Sequence, residues 1–286
     1  MDEISDFMAV PFSPKKERRA DEMLCALFEH RKNLPWKELR SRGSGEPDLL
    51  LLMNAAAELT AVDSTVLFRK RDDASEALTS LWLGEVLKKA RAVSLSQPDV
   101  TYRGITQEDL RRIAQKSLNV DEIDGLQDFI FETYGIVLVY EKSFSSMKLD
   151  GATAKLPNGI PVIALSLRYA RYDYFWFTLL HELAHVLLHY DDLSHPILDD
   201  FDGENDISDV EAEANRLAAD SLIPRRIWIK AAVHRSMDID DLLVMAKEAA
   251  VHPTVAAGLL RKRNSNYRLF SDLVNSLDVR NILGIE

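Results

Sequence analysis

The sequence predicts an α+β fold: mostly helical, with a small three-stranded sheet packed on one helix that carries the chemistry. Three observations predict it. The first hundred residues show apolar positions at helical spacing, interrupted by short polar breaks. Residues 136–140, 148–156 and 160–167 read as strands, the last two joined by the tight turn Pro157-Asn158-Gly159. Residues 176–190 then form a strongly apolar, helix-like run with His181-Glu182-Leu183-Ala184-His185 at its centre.

In chain order, residues 1–16 read as a loose arm and residues 15–30 as a helix. Cys25, in the apolar run from Met23 to Phe28, is expected as a small buried hydrophobe, and one cysteine excludes an internal disulfide. Two glycines, two serines and a proline mark residues 41–47 as a linker. Helices follow over residues 48–61, 63–71 and 73–92. Gln97-Pro98 and Tyr102-Arg103-Gly104 break the pattern. Thr106 and Asp109 are spaced to cap a helix reaching about Leu118, and a helix over residues 121–134 stops at Gly135. Of the three strands, residues 148–156 are the candidate edge, where an extended substrate could add as a further strand; the alternative is an ordinary structural strand.

On a helix, His181 and His185 are four apart and share a face, so two imidazoles can meet one metal ion. Glu182 is placed to act as base on a metal-held water. The apolar flanks imply burial, and buried histidines with a glutamate need a compensating partner such as a cation. A third ligand is expected on a second helix over residues 209–223, which Pro224 stops. Glu211 is preferred there, because Asn215 lies one turn on along its face and could hydrogen-bond a ligating residue. Glu213 is the alternative, about 200° away around the helix. One Zn²⁺ per chain is therefore expected on His181, His185 and Glu211, with Glu182 catalytic. His189, Tyr190, Tyr169 and Tyr172 stand as candidate donors to the oxyanion.

The combination HELAHVLLH, an acidic insert and EAEANRLAADSLIP resembles the ImmA/IrrE family of zinc metallopeptidases. The preceding strands and the segments Ile239-Asp240-Asp241-Leu242-Leu243 and VHPTVAAGLLR, residues 251–261, resemble it too, so the likeness spans roughly residues 105–265. It implies a domain over residues 101–286 with a helical C-terminal extension, behind a helical region over residues 1–100. It also implies an endopeptidase that cleaves a helix-turn-helix repressor and relieves transcriptional repression, in stress or phage responses. Residues 50–286 are similar to the C-terminal part of HigA-type antitoxin regulators. That likeness implies an alternative: a non-proteolytic antitoxin or regulator that uses the same fold for binding. Residues 1–48 lack a helix-turn-helix pattern, which leaves direct operator binding in doubt.

The net charge of −11 makes the chain a poor general nucleic-acid binder. The acidic loop over residues 191–209 reads either as a rim attracting a basic protein or as a solvated insert. Residues 239–263 have the rhythm of a helix-turn-helix ending in Arg261-Lys262-Arg263, but packing helices fit the pattern better. The acidic start lacks a signal-peptide pattern and no long apolar run is present, so a cytoplasmic protein without a membrane span is expected.

Overall fold

The computed structural model describes residues 24, 25, 28, 34–42, 48–61, 74–145, 147–193, 195–199 and 208–285. Three layers stack through them: N-terminal helices, a mixed sheet, and a helical layer built around the H-E-x-x-H helix.

The first layer holds α1 (Trp36–Arg42), α2 (Asp48–Ala61) and α3 (Ala74–Ser96). Leu52, Ala56 and Leu59 of α2 meet Leu78, Leu81 and Trp82 of α3 in a core that covers one face of the sheet. Trp82 also donates its indole N–H to the Glu141 carbonyl just after the first strand, at 2.8 Å. The expected linker is shorter than its composition suggests, because Ser41 and Arg42 complete α1, where the Ser41 hydroxyl donates to the Glu38 carbonyl. The arm over residues 1–16 and the helix over 63–71 lie outside the described residues, as does most of 15–30. Cys25 is exposed, contrary to expectation, while its neighbours Leu24 and Phe28 turn to the core.

The chain then makes α4 (Gln107–Gln115) and α5 (Leu126–Tyr134). Thr106 and Asp109 form the expected capping box on α4, whose final turns tighten into the 3₁₀ segment Lys116–Leu118. The helix expected over 121–134 instead starts as the 3₁₀ turn Val120–Ile123, and Gly135 ends α5 in the left-handed conformation.

The sheet has four strands: β1 (Val137–Tyr140), β2 (Gly151–Lys155), β3 (Pro161–Leu165) and β4 (Ile197–Asp199), in the order β1-β3-β2-β4. β1 runs parallel to β3, β2 and β3 form the expected hairpin, and β4 adds antiparallel to β2. The predicted edge strand β2 is therefore interior. The strand that covers it is three residues inside the acidic loop, too short to show a period of two. Alternation assigns the faces: Val139, Ala152 and Val162 turn to α1–α3, while Leu138 and Ile163 turn to the other layer.

The third layer is α6 (Tyr172–His189), α7 (Asp209–Leu222), α8 (Arg225–Lys230), α9 (Val233–Ser236), α10 (Ile239–Glu248), α11 (Pro253–Arg263), α12 (Ser271–Val274) and α13 (Val279–Ile282). α10 and α11 are bent by 111°. α11 packs on α6 and buries Val255, Ala256, Ala257 and Leu260, so its apolar face serves the core. Arg261 is buried as well and donates to the Tyr267 carbonyl. No single helix among the described residues is long and apolar enough to cross a membrane.

Candidate metal centre

α6 is apolar almost all round because it is buried on several sides, by the sheet, α4, α7 and α11. His181, Glu182 and His185 are all fully buried in it. α7 crosses α6 with its first turn at these residues, and Ser208 caps that turn by accepting the Glu211 N–H at 3.3 Å. The cap fixes Glu211 where it meets both histidines.

Four side chains converge: His181, His185, Asp199 and Glu211, each offering one atom within 4.8 Å of the others. The two imidazole Nε2 atoms stand 2.9 Å apart. His181 Nε2 lies 3.2 Å from Asp199 Oδ2 and 3.2 Å from Glu211 Oε2. His185 Nε2 lies 3.5 Å from Asp199 Oδ2 and 3.5 Å from Glu211 Oε1. A tetrahedral zinc site with bonds of about 2.0–2.1 Å has donor–donor edges of about 3.3 Å. These edges therefore fit a cage around one small cation. Asp199 Oδ2 supports that reading, since it is buried against two imidazoles yet has no directed hydrogen-bond partner among the described residues. Donors aimed at a shared centre behave this way.

In the metal-free cluster the electrostatics follow from burial and pairing. Burial opposes a charge on His185, but Asp199 and Glu211 outweigh it and raise the ring to about 9. Burial would raise Asp199, but the two imidazoles hold it far below the usual carboxylate range. Glu211 is lowered in the same way, burial again being outweighed by His181 and His185. Glu182 goes the other way: burial first, then the negative Asp199, push its carboxyl well up. Thr153 on β2 donates its hydroxyl to Glu182 Oε2 at 2.6 Å. Gly151, two residues earlier on the same face, leaves the space that Glu182 fills; a Cβ there would fall 2.0 Å from Glu182 Oε1.

The other sequence candidates are scattered. His189 Nδ1 lies 3.3 Å from His185 Nδ1, so that ring borders the cluster. Glu213, the alternative ligand, is 3.9 Å from His189 instead. The Asn215 side-chain oxygen is buried and makes no hydrogen bond to a ligating residue. Tyr190 stacks on Tyr102 and gives its hydroxyl to the Gly159 carbonyl at 2.8 Å. Tyr172 is wholly buried and gives its hydroxyl to the Ser117 carbonyl, and Tyr169 packs edge-on against Tyr174. Tyr190 and Tyr172 thus commit their hydroxyls to backbone carbonyls. Sequence reasoning missed Asp199, Thr153 and Gly151. Asp199 had no signal beyond the apolar pair Ile197-Leu198 before it, whereas Thr153 and Gly151 could have been found as alternate positions of a predicted strand facing the helix.

A family described as Peptidase_M78, IrrE N-terminal-like domain, matches residues 131–259, a span that contains the whole cluster. No curated protein matches the chain. The likeness to HigA-type regulators over residues 50–286 is not part of what this match shows. The match over residues 131–259 supports membership of the ImmA/IrrE family.

Proposed function

We propose that the chain is a zinc-dependent endopeptidase with a regulatory role, cutting a helix-turn-helix repressor or a similar DNA-binding protein. One observation carries the reading: a buried cage of histidine and carboxylate donors with edges of 2.9–3.5 Å, next to a fully buried glutamate. His181, His185 and Glu211 would hold the ion. When bound, zinc acidifies a water toward neutrality and polarises the scissile carbonyl. Glu182 takes the proton of the attacking water and returns it to the leaving amine nitrogen. Thr153 holds one oxygen of that carboxylate by a hydrogen bond from its hydroxyl. His189 meets the Nδ1 of His185, on the side of that ring opposite the Nε2 that faces the cluster, and so would orient this ligand. The substrate class rests on the family resemblance and on the net charge of −11, which complements a basic DNA-binding protein.

The test compares zinc-loaded wild type with Glu182→Gln on helix-turn-helix repressor substrates, read by intact mass. Glu182→Gln should keep about one zinc per chain. It should lower cleavage by about 10²–10⁴-fold. Undiminished cleavage by the variant overturns the mechanism. If the variant relieves repression in cells as well as wild type does, the non-proteolytic binding function replaces it.

A further inference from the structure

We infer that Asp199 is a fourth ligand of the metal and that β4 occupies the strand position on which an extended substrate binds, so the chain as folded closes its own site. This rests on the zinc-peptidase reading above. Catalytic zinc sites take three protein ligands and keep one position open, whereas closed sites take four. Here four protein donors share the cage, and the fourth comes from neither of the two helices that bear the other three.

The sheet register explains how Asp199 arrives there. Asp199 pairs with Gly151, and residues directly opposite in an antiparallel pair point to the same face. That face is the one on which Thr153 meets Glu182. Gly151 has no side chain, which leaves the space that Glu182 fills on this face. The Asp150 N–H, donating to the Asp199 carbonyl at 2.7 Å, locks the same end of β4. Asp199 is 3% exposed, so it is a built part of the site rather than a member of a solvated acidic rim.

β4 contributes three pairs to the ladder: Asp199 with Gly151, Leu198 with Ala152 and Ile197 with Thr153. An extended peptide that displaced β4 would make the same pairs by strand addition. Its residue opposite Gly151 would replace Asp199 and lie against Glu182, where the bond to be cut must be. The residue before it would take the place of Leu198, which packs against the core formed by α1–α3. The substrate is therefore an extended segment with an apolar side chain just ahead of the cleavage position, and it binds after β4 has left.

The experiment uses the full chain loaded with Co²⁺ or Zn²⁺, as wild type, Asp199→Ala and Asp199→Asn, the last keeping the side-chain shape. The probe is acetohydroxamate, read by the visible spectrum of the cobalt protein; the second readout is zinc transfer to a chromogenic chelator. Both variants should bind acetohydroxamate at least about tenfold more tightly than wild type and lose zinc at least about tenfold faster. If wild type holds one cobalt and matches both variants in both readouts, Asp199 is not a ligand; the inference fails and the zinc reading stands. A wild-type chain that takes up no cobalt and no zinc sinks the zinc reading and the inference with it.

Discussion

Glu182 is confined by two residues of β2, one through what it lacks and one through what it donates. Gly151→Ala would put a Cβ 2.0 Å from Glu182 Oε1 and 2.7 Å from its Cδ, against a fully buried side chain. Such overpacking costs about 1–3 kcal/mol. The expected outcome is a lower denaturant midpoint together with loss of cleavage. Thr153→Val keeps the shape and removes the 2.6 Å bond to Glu182. A hydrogen bond to a charged group contributes about 1.5–3 kcal/mol, so kcat should fall by about 10–100-fold. Zinc content and KM should stay near wild type; an unchanged kcat assigns Thr153 a packing role only. Neither residue announces itself in the sequence, since a glycine and a threonine gain meaning only from the side chain placed opposite them. His181, Glu182 and His185 were legible because their spacing is set by one helix.

Between elements, Arg111 ties helices that lie far apart in the chain. Its guanidinium donates to the Ser221 carbonyl at 2.9 Å, to the Leu222 carbonyl at 2.7 Å, and to the Ala249 carbonyl. These carbonyls belong to the ends of α7 and α10, where the last turn has no intrahelical donors and carries partial negative charge. Arg111→Ala should lower stability by about 1–3 kcal/mol in urea unfolding. Arg112→Ala, whose side chain is 61% exposed, should change it by less than about 0.5 kcal/mol. Equal effects would reject the capping role. Local devices such as the Thr106 capping box and the Gly135 stop could be read from sequence, because both partners lie within a turn. Arg111 could not, because its partners are 110, 111 and 138 residues away.

For the molecule as a whole, the cluster couples metal, protons and stability. In the metal-free protein His185 is raised from 6.5 to about 9, so its contribution is full below pH 6.5 and is lost as pH rises through 9. Glu182, raised by burial and by Asp199, acts in the same direction, because ionising it inside the fold is unfavourable. Asp199 and Glu211, held low, contribute above their ordinary range and lose that contribution only in acid. The urea midpoint of metal-free protein should therefore fall between pH 6.5 and pH 9. Zinc should raise the midpoint and flatten this dependence, since the ion replaces the protons. A metal-free protein whose midpoint rises over that window would contradict the arrangement of charges.

The sequence by itself determined the helices with caps and stops, the β2–β3 hairpin, and the triplet His181, Glu182 and His185, because those signals are local periods of two or three to four residues. It also made Glu211 the preferred partner on α7. Tertiary structure alone decided that the sheet has a fourth strand, that β2 is interior, and that Asp199 joins the cluster. The reason is physical. A three-residue strand has too few positions to display a pattern, and which of many aspartates is buried depends on the register of a pairing between segments more than forty residues apart.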